Sequence, residues 1–208
     1  MNQSYTLLLR LEGPMQSWGY RSRFDYRDTA LEPTRSGVIG LICAAMGIAR
    51  GEDISRFDAI RMGIRVDKEG RPERDYHTAL DVIKADGTGT DTVVSYRDYL
   101  ADASFTVGLQ SDNKDLLVEI AAALHNPKWT LFLGRKAFPL AVPPLGPDDR
   151  AKAGTLEEHL FLGNSRKRMV LEAPNGERTQ HDWPLCFEKR QFKPRSVTTL
   201  FRIREVAE

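Results

Sequence analysis

The sequence lacks the features that mark a secreted or membrane-spanning protein. It has two cysteines among 208 residues, Cys43 and Cys186, and both lie in apolar neighbourhoods, which predicts reduced core thiols rather than a disulfide. No apolar run approaches the roughly 20 residues that a transmembrane helix needs. The first five residues, Met1–Tyr5, lack the basic and apolar regions of a signal peptide. We therefore expect a cytoplasmic protein that does not contact a membrane.

Known catalytic and metal-binding motifs are also missing. The four histidines are scattered, with no cysteine or carboxylate at ligand spacing, so we predict no metal site and no cofactor. Neither a G-x-S-x-G, a Walker nor a G-x-G-x-x-G motif occurs, and Gly37–Gly40 lacks the lysine of a phosphate-binding loop. Adjacent acids such as Glu157–Glu158 are typical of solvated surface rather than general acid–base catalysis. No catalytic residue is predicted.

Net charge is low, but its distribution is uneven. The formal charge is only +1, whereas residues 164–204 hold ten Lys or Arg against four Asp or Glu. A basic region on a near-neutral body is typical of a surface that contacts a polyanion. A solvated basic face explains the same charges equally well.

Apolar patterns predict an α+β fold. Buried strands are expected at Tyr5–Leu11, Ala59–Val66, Ala103–Leu109 and Trp129–Leu133. One helix should follow the hydroxyls of residues 34–36 and end at Gly47, and a second should run from a cap at Asp112 to Asn126. The order β-α-β and again β-α-β predicts a ferredoxin-like palm of the RNA-recognition (RRM) type.

An insertion and a C-terminal region extend this core. Tyr76–Ala85 and Thr92–Tyr99 flank the turn Asp86–Asp91, which predicts a hairpin. Because neither arm has a one-sided apolar pattern, we expect the hairpin to project and bind a partner. A cluster of prolines after residue 139 predicts a boundary between a palm domain (residues 1–139, with the hairpin at 76–99) and a small β-rich C-terminal region (residues 140–208).

Three segments combine cations, hydroxyls and exposed backbone as RNA phosphates require. Pro33–Gly37 lies at a helix N-terminus, where amides and the helix dipole favour phosphate. Gly134–Lys136 places two cations after a glycine, and Lys189–Arg195 interleaves cations with an aromatic residue. Each has an alternative interpretation: a capped core helix, an ordinary charged turn and a basic edge strand, respectively.

These segments together resemble a known family. The sequence reads Gly13–Gly19 (GPMQSWG), Pro33–Leu41 (PTRSGVIGL), Asp75–Thr78 (DYHT), Arg97–Val107, Leu133–Lys136 (LGRK) and Arg190–Phe192 (RQF). In this order they resemble the CasD family, the Cas-five-type RAMP subunits of type I-E CRISPR Cascade complexes. The resemblance runs from Leu9 to Phe192, and residues 148–183 match nothing that we can place.

The resemblance implies a modified RRM palm with a protruding thumb hairpin and an RNA-binding role in antiviral defence. It implies binding of the 5′ handle of the CRISPR RNA, with the thumb near the handle–spacer junction. Expected partners are the backbone subunit CasC and the large subunit CasA, with target DNA bound only indirectly. We predict that RNA contacts come from Gln16, Trp18, Thr34, Arg35, Ser36, Gly37, Tyr76, His77, Gly134, Arg135, Lys136 and Arg190.

Two other functions stay open at this point. Some relatives in another subtype cleave RNA with tyrosine, lysine and histidine. The sequence has no clear counterpart of that triad, but Tyr76, His77 and Lys136 stay candidates for it, so a metal-independent endoribonuclease is the alternative. In this subtype a separate subunit, CasE, cuts the precursor. A pure protein–protein adaptor, with its basic C-terminal region against acidic neighbours, is the third hypothesis.

Overall fold

Alternating leucines give the first strand of the main sheet one fully buried face. Leu7, Leu9 and Leu11 are fully buried on one face of that strand. The structure, a computed structural model that describes residues 3–19, 25–161 and 167–201, is a mixed α+β fold. Its strands are β1 (Tyr5–Glu12), β2 (Met15–Gln16), β3 (Tyr26–Arg27), β4 (Arg61–Lys68), β5 (Arg71–Ile83), β6 (Thr90–Ala101), β7 (Ser104–Ser111), β8 (Lys152–Ala153), β9 (Arg168–Glu172), β10 (Arg178–Cys186) and β11 (Gln191–Phe201). Its helices are α1 (Arg35–Met46), α2 (Lys114–His125) and α3 (Leu156–Leu160), with a 3₁₀ turn at Ser55–Ala59.

The main sheet contains the predicted ferredoxin-like order. Its seven strands run β10-β11-β9-β4-β7-β1-β8, and every paired neighbour is antiparallel. The segment β8-β1-β7-β4 is the four-stranded order of the βαββαβ unit. Strands β9, β11 and β10 continue the sheet beyond β4. The α+β class is therefore confirmed, and the division into domains at residue 139 stays a prediction.

The predicted fourth strand at Trp129–Leu133 is wrong. The two-residue strand β8 pairs with β1 at that position, through Tyr5 opposite Ala153. The apolar segment instead begins beside the C-terminal end of α1, where the Trp129 amide donates to the Ala44 carbonyl at 3.2 Å. A short apolar run is equally compatible with either environment, so its composition did not distinguish them.

Helices α1 and α2 cover one face of the main sheet. Thr34 caps α1 by accepting from the Gly37 amide, and Gly47 ends it in the left-handed conformation at φ 73°, as predicted. The N-cap of α2 is Asn113 rather than the predicted Asp112: the Asn113 side chain accepts from the Leu116 amide, while Asp112 accepts from the Ser4 hydroxyl.

Within the described ranges, no helix has the length and apolar character to cross a membrane.

Helix α3 packs on the opposite face of the sheet. Gly63 of β4 and Gly108 of β7 lie directly opposite each other. The missing side chains leave space for Leu156 and Leu160, whose methyl carbons come to 2.8 Å from the Cβ position at Gly63 and to 2.6 Å from that at Gly108. These two leucines, Met169 and Leu171 form a second, smaller apolar cluster. Both faces of the sheet are thereby covered.

The predicted hairpin is present as β5 and β6, and we call it the thumb. The two strands pair from Arg71 opposite Ala101 to Ile83 opposite Thr90. A bulge near Asp81, which has φ 57°, interrupts the register. Nearly all of β5 is exposed, as the lack of a one-sided apolar pattern predicted. Strands β2 and β3 pair with the other edge of β6 and join the thumb to the palm.

Candidate nucleic-acid interface

A long cleft follows α1 across the surface of the palm. Its volume is about 1210 Å³. One side is α1 itself, a second is the segment from Lys128 to Lys136, and the third comes from β10, β11 and the turn between them. We call it the α1 cleft.

Cations from several parts of the chain line the α1 cleft. They come from five separated positions: Arg27, Arg50, Lys128, Lys136 and Arg190. No carboxylate contributes to the lining from the parts of the chain that the structure describes. Guanidinium and ammonium groups bind phosphate oxygens, and a groove of one charge concentrates a polyanion near its surface. The electrostatics of the cleft therefore match a nucleic-acid backbone.

Aromatic rings occupy the same cleft. They are Trp129 and Phe132 on one side and Phe187 and Phe192 on the other. Trp129 is 49% exposed and Phe192 is 41% exposed. Bases stack on exposed aromatic rings with little sequence preference, and cations beside them neutralise the phosphates. The combination is typical of a surface for a single strand with unpaired bases.

Small residues form part of the α1 side of the cleft. Ser36, Gly37 and Gly40 line it. A Cβ on Gly37 would lie 2.8 Å from the ring of Trp18, so the helix rests directly on that ring. A Cβ on Gly40 would instead face the cleft residue Phe187 at 3.8 Å, so the absence of a side chain at Gly40 leaves this part of the helix backbone within reach of a ligand.

Five of the predicted RNA-binding residues meet in the α1 cleft. They come from three distant parts of the sequence: Ser36, Gly37, Gly134, Lys136 and Arg190. Their contacts with RNA stay predictions, but the fold brings them to one surface. Arg166, Arg202 and Arg204 of the predicted basic region lie outside the described residues.

The helix N-terminus that we predicted as a phosphate site is satisfied by the chain itself. The Gly37 amide donates to Thr34 Oγ1 at 3.2 Å, and the Arg35 amide donates to Asp182 Oδ2 at 2.8 Å. The Arg35 side chain is 1% exposed and forms an ion pair with Glu172 at 2.9 Å. This N-terminus therefore already holds a carboxylate, and Arg35 points away from the cleft into a buried cluster.

Gln16 and Trp18 lie in the core beneath the cleft. Gln16 is fully buried and donates to the Ala103 carbonyl at 2.8 Å. The Trp18 indole donates to Gln16 Oε1 at 3.2 Å. These contacts are those of packing residues that support α1. Because both side chains are buried, their position does not favour a contact with RNA.

Arg135 joins the palm to the root of the thumb. Its Nη2 donates to the carbonyl oxygen of Asp98 at 2.7 Å and to that of Arg27 at 3.3 Å. Burial lowers the pKa of its guanidinium, as does the neighbouring Arg97. The lower pKa reflects a half-buried cation held by backbone carbonyls. Lys136, by contrast, is exposed beside the cleft.

The root of the thumb carries a cluster of tyrosines around one ion pair. Arg74 pairs with Asp98 at 2.7 Å, and the Tyr26 hydroxyl donates to the same carboxylate. The hydrogen bond from Arg74 lowers the pKa of Asp98. Nearby, Tyr76 packs edge-on against Tyr96 with ring centroids 5.6 Å apart. Tyr76, a predicted RNA contact, is thus exposed on a strand that these neighbouring side chains hold in place.

His77 follows Tyr76 on the thumb. Its Nδ1 lies 4.0 Å from a carboxylate oxygen of Asp75. In the parts of the chain that the structure describes, no three His, Cys, Asp or Glu side chains come together as a metal site.

Several cleft residues were missed by the sequence analysis. Arg27, Arg50, Lys128 and Trp129 lie on short loops or strands without a motif. The adjacent pair Lys128–Trp129 combines a cation with an aromatic residue, which was the one available signal. The apolar residues that follow Trp129 favour a buried strand, and that pattern conceals the exposed ring.

Comparison with known proteins identifies the family. The family described as "CRISPR-associated protein (Cas_Cas5)" matches residues 6–198. The chain belongs to the Cas5 family. It is 38% identical over 154 residues to the CRISPR system Cascade subunit CasD of Escherichia coli (strain K12), which covers 66% of this chain and 68% of that protein.

Two solved structures support the assignment to the Cas5 family. A chain of a CRISPR RNA-guided surveillance complex superposes with a TM-score of 0.80 at 31% identity, over 94% of this chain and 89% of that one. A crystal structure of a Cas protein superposes with a TM-score of 0.74 at 40% identity, over 94% of each chain. The resemblance to CasD found in the sequence is therefore confirmed.

Proposed function

We propose that the protein is a non-catalytic subunit of a Cascade-type CRISPR complex and holds the 5′ handle of the guide RNA in the α1 cleft. The observation that carries this proposal is the composition of the cleft. Its lining has five cations, four aromatic rings and no described carboxylate. Family membership selects CRISPR RNA among the single strands that such a surface fits, because similar proteins belong to Cascade and to an RNA-guided complex.

The thumb supplies the second surface in this proposal. Tyr76 lies at its root, where a base leaving the cleft would stack, and the outer part carries exposed apolar side chains. Leu80 is 71% exposed and Ile83 is 76% exposed. Apolar side chains on an isolated hairpin are stabilised by burial against a partner. We assign this part of the thumb to neighbouring subunits of the CasC and CasA type.

Co-expression tests the proposal directly. The chain is expressed with the other Cascade subunits and a CRISPR array, and the tagged complex is purified and crosslinked with ultraviolet light. We expect the 5′ end of the guide RNA to crosslink to peptides that line the α1 cleft. A complex in which that RNA end crosslinks only to other subunits would contradict the proposal.

Cleavage activity is tested separately. The purified protein is incubated with repeat RNA in EDTA. We expect no specific product. Of the three candidate catalytic residues, Lys136 lines the cleft, whereas Tyr76 and His77 lie on the thumb and do not line it, and the described charged partner of His77 is Asp75. A specific product that disappears in His77→Ala would favour the endoribonuclease instead.

Trp129 provides a prediction about base stacking in the cleft. We expect Trp129→Ala to weaken RNA binding by about 1–3 kcal/mol, which is the usual contribution of one base stacked on an aromatic side chain. Trp129→Phe retains a stacking surface and should bind nearly as well as the unsubstituted protein. Fluorescence anisotropy with a labelled handle RNA measures both. Equal losses in the two variants would show that stacking is not the contribution of Trp129.

A further inference from the structure

A buried group of four charges lies behind the α1 cleft. It contains Arg35 of α1, Glu172 of β9, Asp182 of β10 and Arg195 of β11. Two positive and two negative side chains make it neutral. All four are buried, so each charge depends on the others for the interactions that water would otherwise supply. We call it the four-charge cluster.

Arg35 contacts the cluster through most of its guanidinium group. Nη1 donates to both oxygens of Glu172 at 2.9 and 3.1 Å, and Nη2 donates to the Phe57 carbonyl at 2.9 Å. The Trp183 ring covers the guanidinium, with its centroid 3.6 Å from Cζ. Lysine could not reproduce this arrangement, since an ammonium group is neither planar nor able to donate in two fixed directions.

Asp182 connects the same cluster to the start of α1. Its Oδ2 accepts from the backbone amide of Arg35, while Arg195 binds both of its oxygens at 2.6 and 2.9 Å. A negative charge at a helix N-terminus is favourable because of the helix dipole. Helix α1 is thus attached to β10 by its main chain and to β9 by its first side chain.

The cluster lies next to residues from two sides of the cleft. Ser36 follows Arg35 along α1 and lines the cleft from one side. His181 precedes Asp182 along β10 and lines it from the other side. A shift of α1 relative to β10 would therefore change the width of the cleft at this point.

We infer that Arg35 is a positioning residue that sets the width of the α1 cleft and does not itself touch RNA. The inference deepens the proposed RNA-binding function and depends on it. Arg35 was predicted as a phosphate contact, and its burial in the four-charge cluster assigns it this different role. Loss of Arg35 should lower the affinity for RNA without removing any phosphate contact.

The dependence of RNA affinity on salt separates these two roles. Each phosphate contact in a single-stranded complex contributes about 0.7 to the slope of log K against log salt concentration. We expect Arg35→Met/Glu172→Gln to raise the Kd for handle RNA by about tenfold and to leave that slope unchanged. The double variant keeps the cluster neutral, and the introduced glutamine retains an acceptor for the Met62 amide, to which Glu172 is bonded at 2.8 Å. The single variant Arg35→Lys should also bind RNA more weakly than the unsubstituted protein, because an ammonium group cannot make the contacts of the guanidinium.

The matched control is an ion pair on the other face of the sheet. Arg10 pairs with Glu12 at 2.6 Å on β1, and neither residue lines the cleft or contacts the four-charge cluster in the described hydrogen bonds. Arg10→Met/Glu12→Gln carries the same substitutions and should bind RNA with unchanged affinity. Circular dichroism at the assay temperature verifies that each variant is folded, and Arg35→Lys provides a second test if the double variant is not.

The outcomes distinguish the inference from the proposed function. A folded Arg35 variant with unchanged affinity would make Arg35 merely structural and overturn the inference. A slope reduced by about 0.7, as expected for Lys136→Ala, would make Arg35 a phosphate contact and also overturn it. Failure of the unsubstituted protein to bind handle RNA, alone and in the assembled complex, would overturn the proposed function and the inference together.

Discussion

Replacing Lys136 and Arg190 by alanine is expected to weaken binding of handle RNA about a hundredfold. Both side chains line the α1 cleft, on opposite sides. A hydrogen bond to a charged group contributes about 1.5–3 kcal/mol, so the loss of two should cost about 3 kcal/mol. Each 1.4 kcal/mol is a factor of about ten in Kd. The slope of log K against log salt should fall by about 1.4, since two phosphate contacts are removed.

A second pair of lysines controls for net charge. Lys114 and Lys152 are exposed and do not line the cleft. Lys114→Ala/Lys152→Ala also removes two positive charges from the protein, and it should leave both the affinity for RNA and the salt slope nearly unchanged. Equal weakening in the two double variants would mean that RNA responds to the overall charge and has no defined site in the cleft. The measurement is a titration of labelled RNA at several salt concentrations.

The sequence was informative at α1 and the thumb, where local chemistry decides the structure. The N-cap Thr34 and the left-handed Gly47 define both ends of α1 as predicted, because caps and glycines act within a few residues. The thumb was predictable for a similar reason, as two β-type segments flank a turn rich in glycine and aspartate. Its exposure followed from the absence of an apolar face.

The fourth strand shows where sequence patterns stop being informative. Residues 129–133 have the apolar composition of a buried strand, but their backbone bonds to the end of α1 and to the loop near Phe138. Strand β8 has only two residues, Lys152 and Ala153, and both are exposed. A strand this short has no period to detect, so only the tertiary pairing with β1 reveals it.

The cleft itself could not be assembled from the sequence. Its cations come from positions between Arg27 and Arg190 that the fold brings together, and no local pattern indicates that Arg50 and Lys128 share a surface. The opposite problem applies to Arg35. A motif with arginine at a helix N-terminus favours phosphate binding, whereas burial beside Glu172 was decided by strand β9, which lies far along the chain.

Gly134→Ala is expected to destabilise the protein severely. A Cβ at this position would lie 1.7 Å from the carbonyl oxygen of Ser17, and the residue has φ 89°. Backbone atoms cannot move aside as a flexible side chain can, and the Ser17 amide is itself bonded to the Leu133 carbonyl at 3.0 Å. Steric overlap and left-handed strain together should lower the free energy of unfolding by about 4 kcal/mol. Urea denaturation measures the change.

Gly87→Ala separates the two contributions. Gly87 lies at the tip of the thumb with φ 72°, and a Cβ there would meet no atom within 4 Å. It therefore carries the left-handed strain without the steric overlap, and should lower the free energy of unfolding by only about 1–2 kcal/mol. A similar loss in both variants would mean that Ser17 and Gly134 can separate at little cost. Because Gly134 and Lys136 lie two residues apart on the same side of the cleft, such a separation would also displace the cation that the RNA-binding proposal requires.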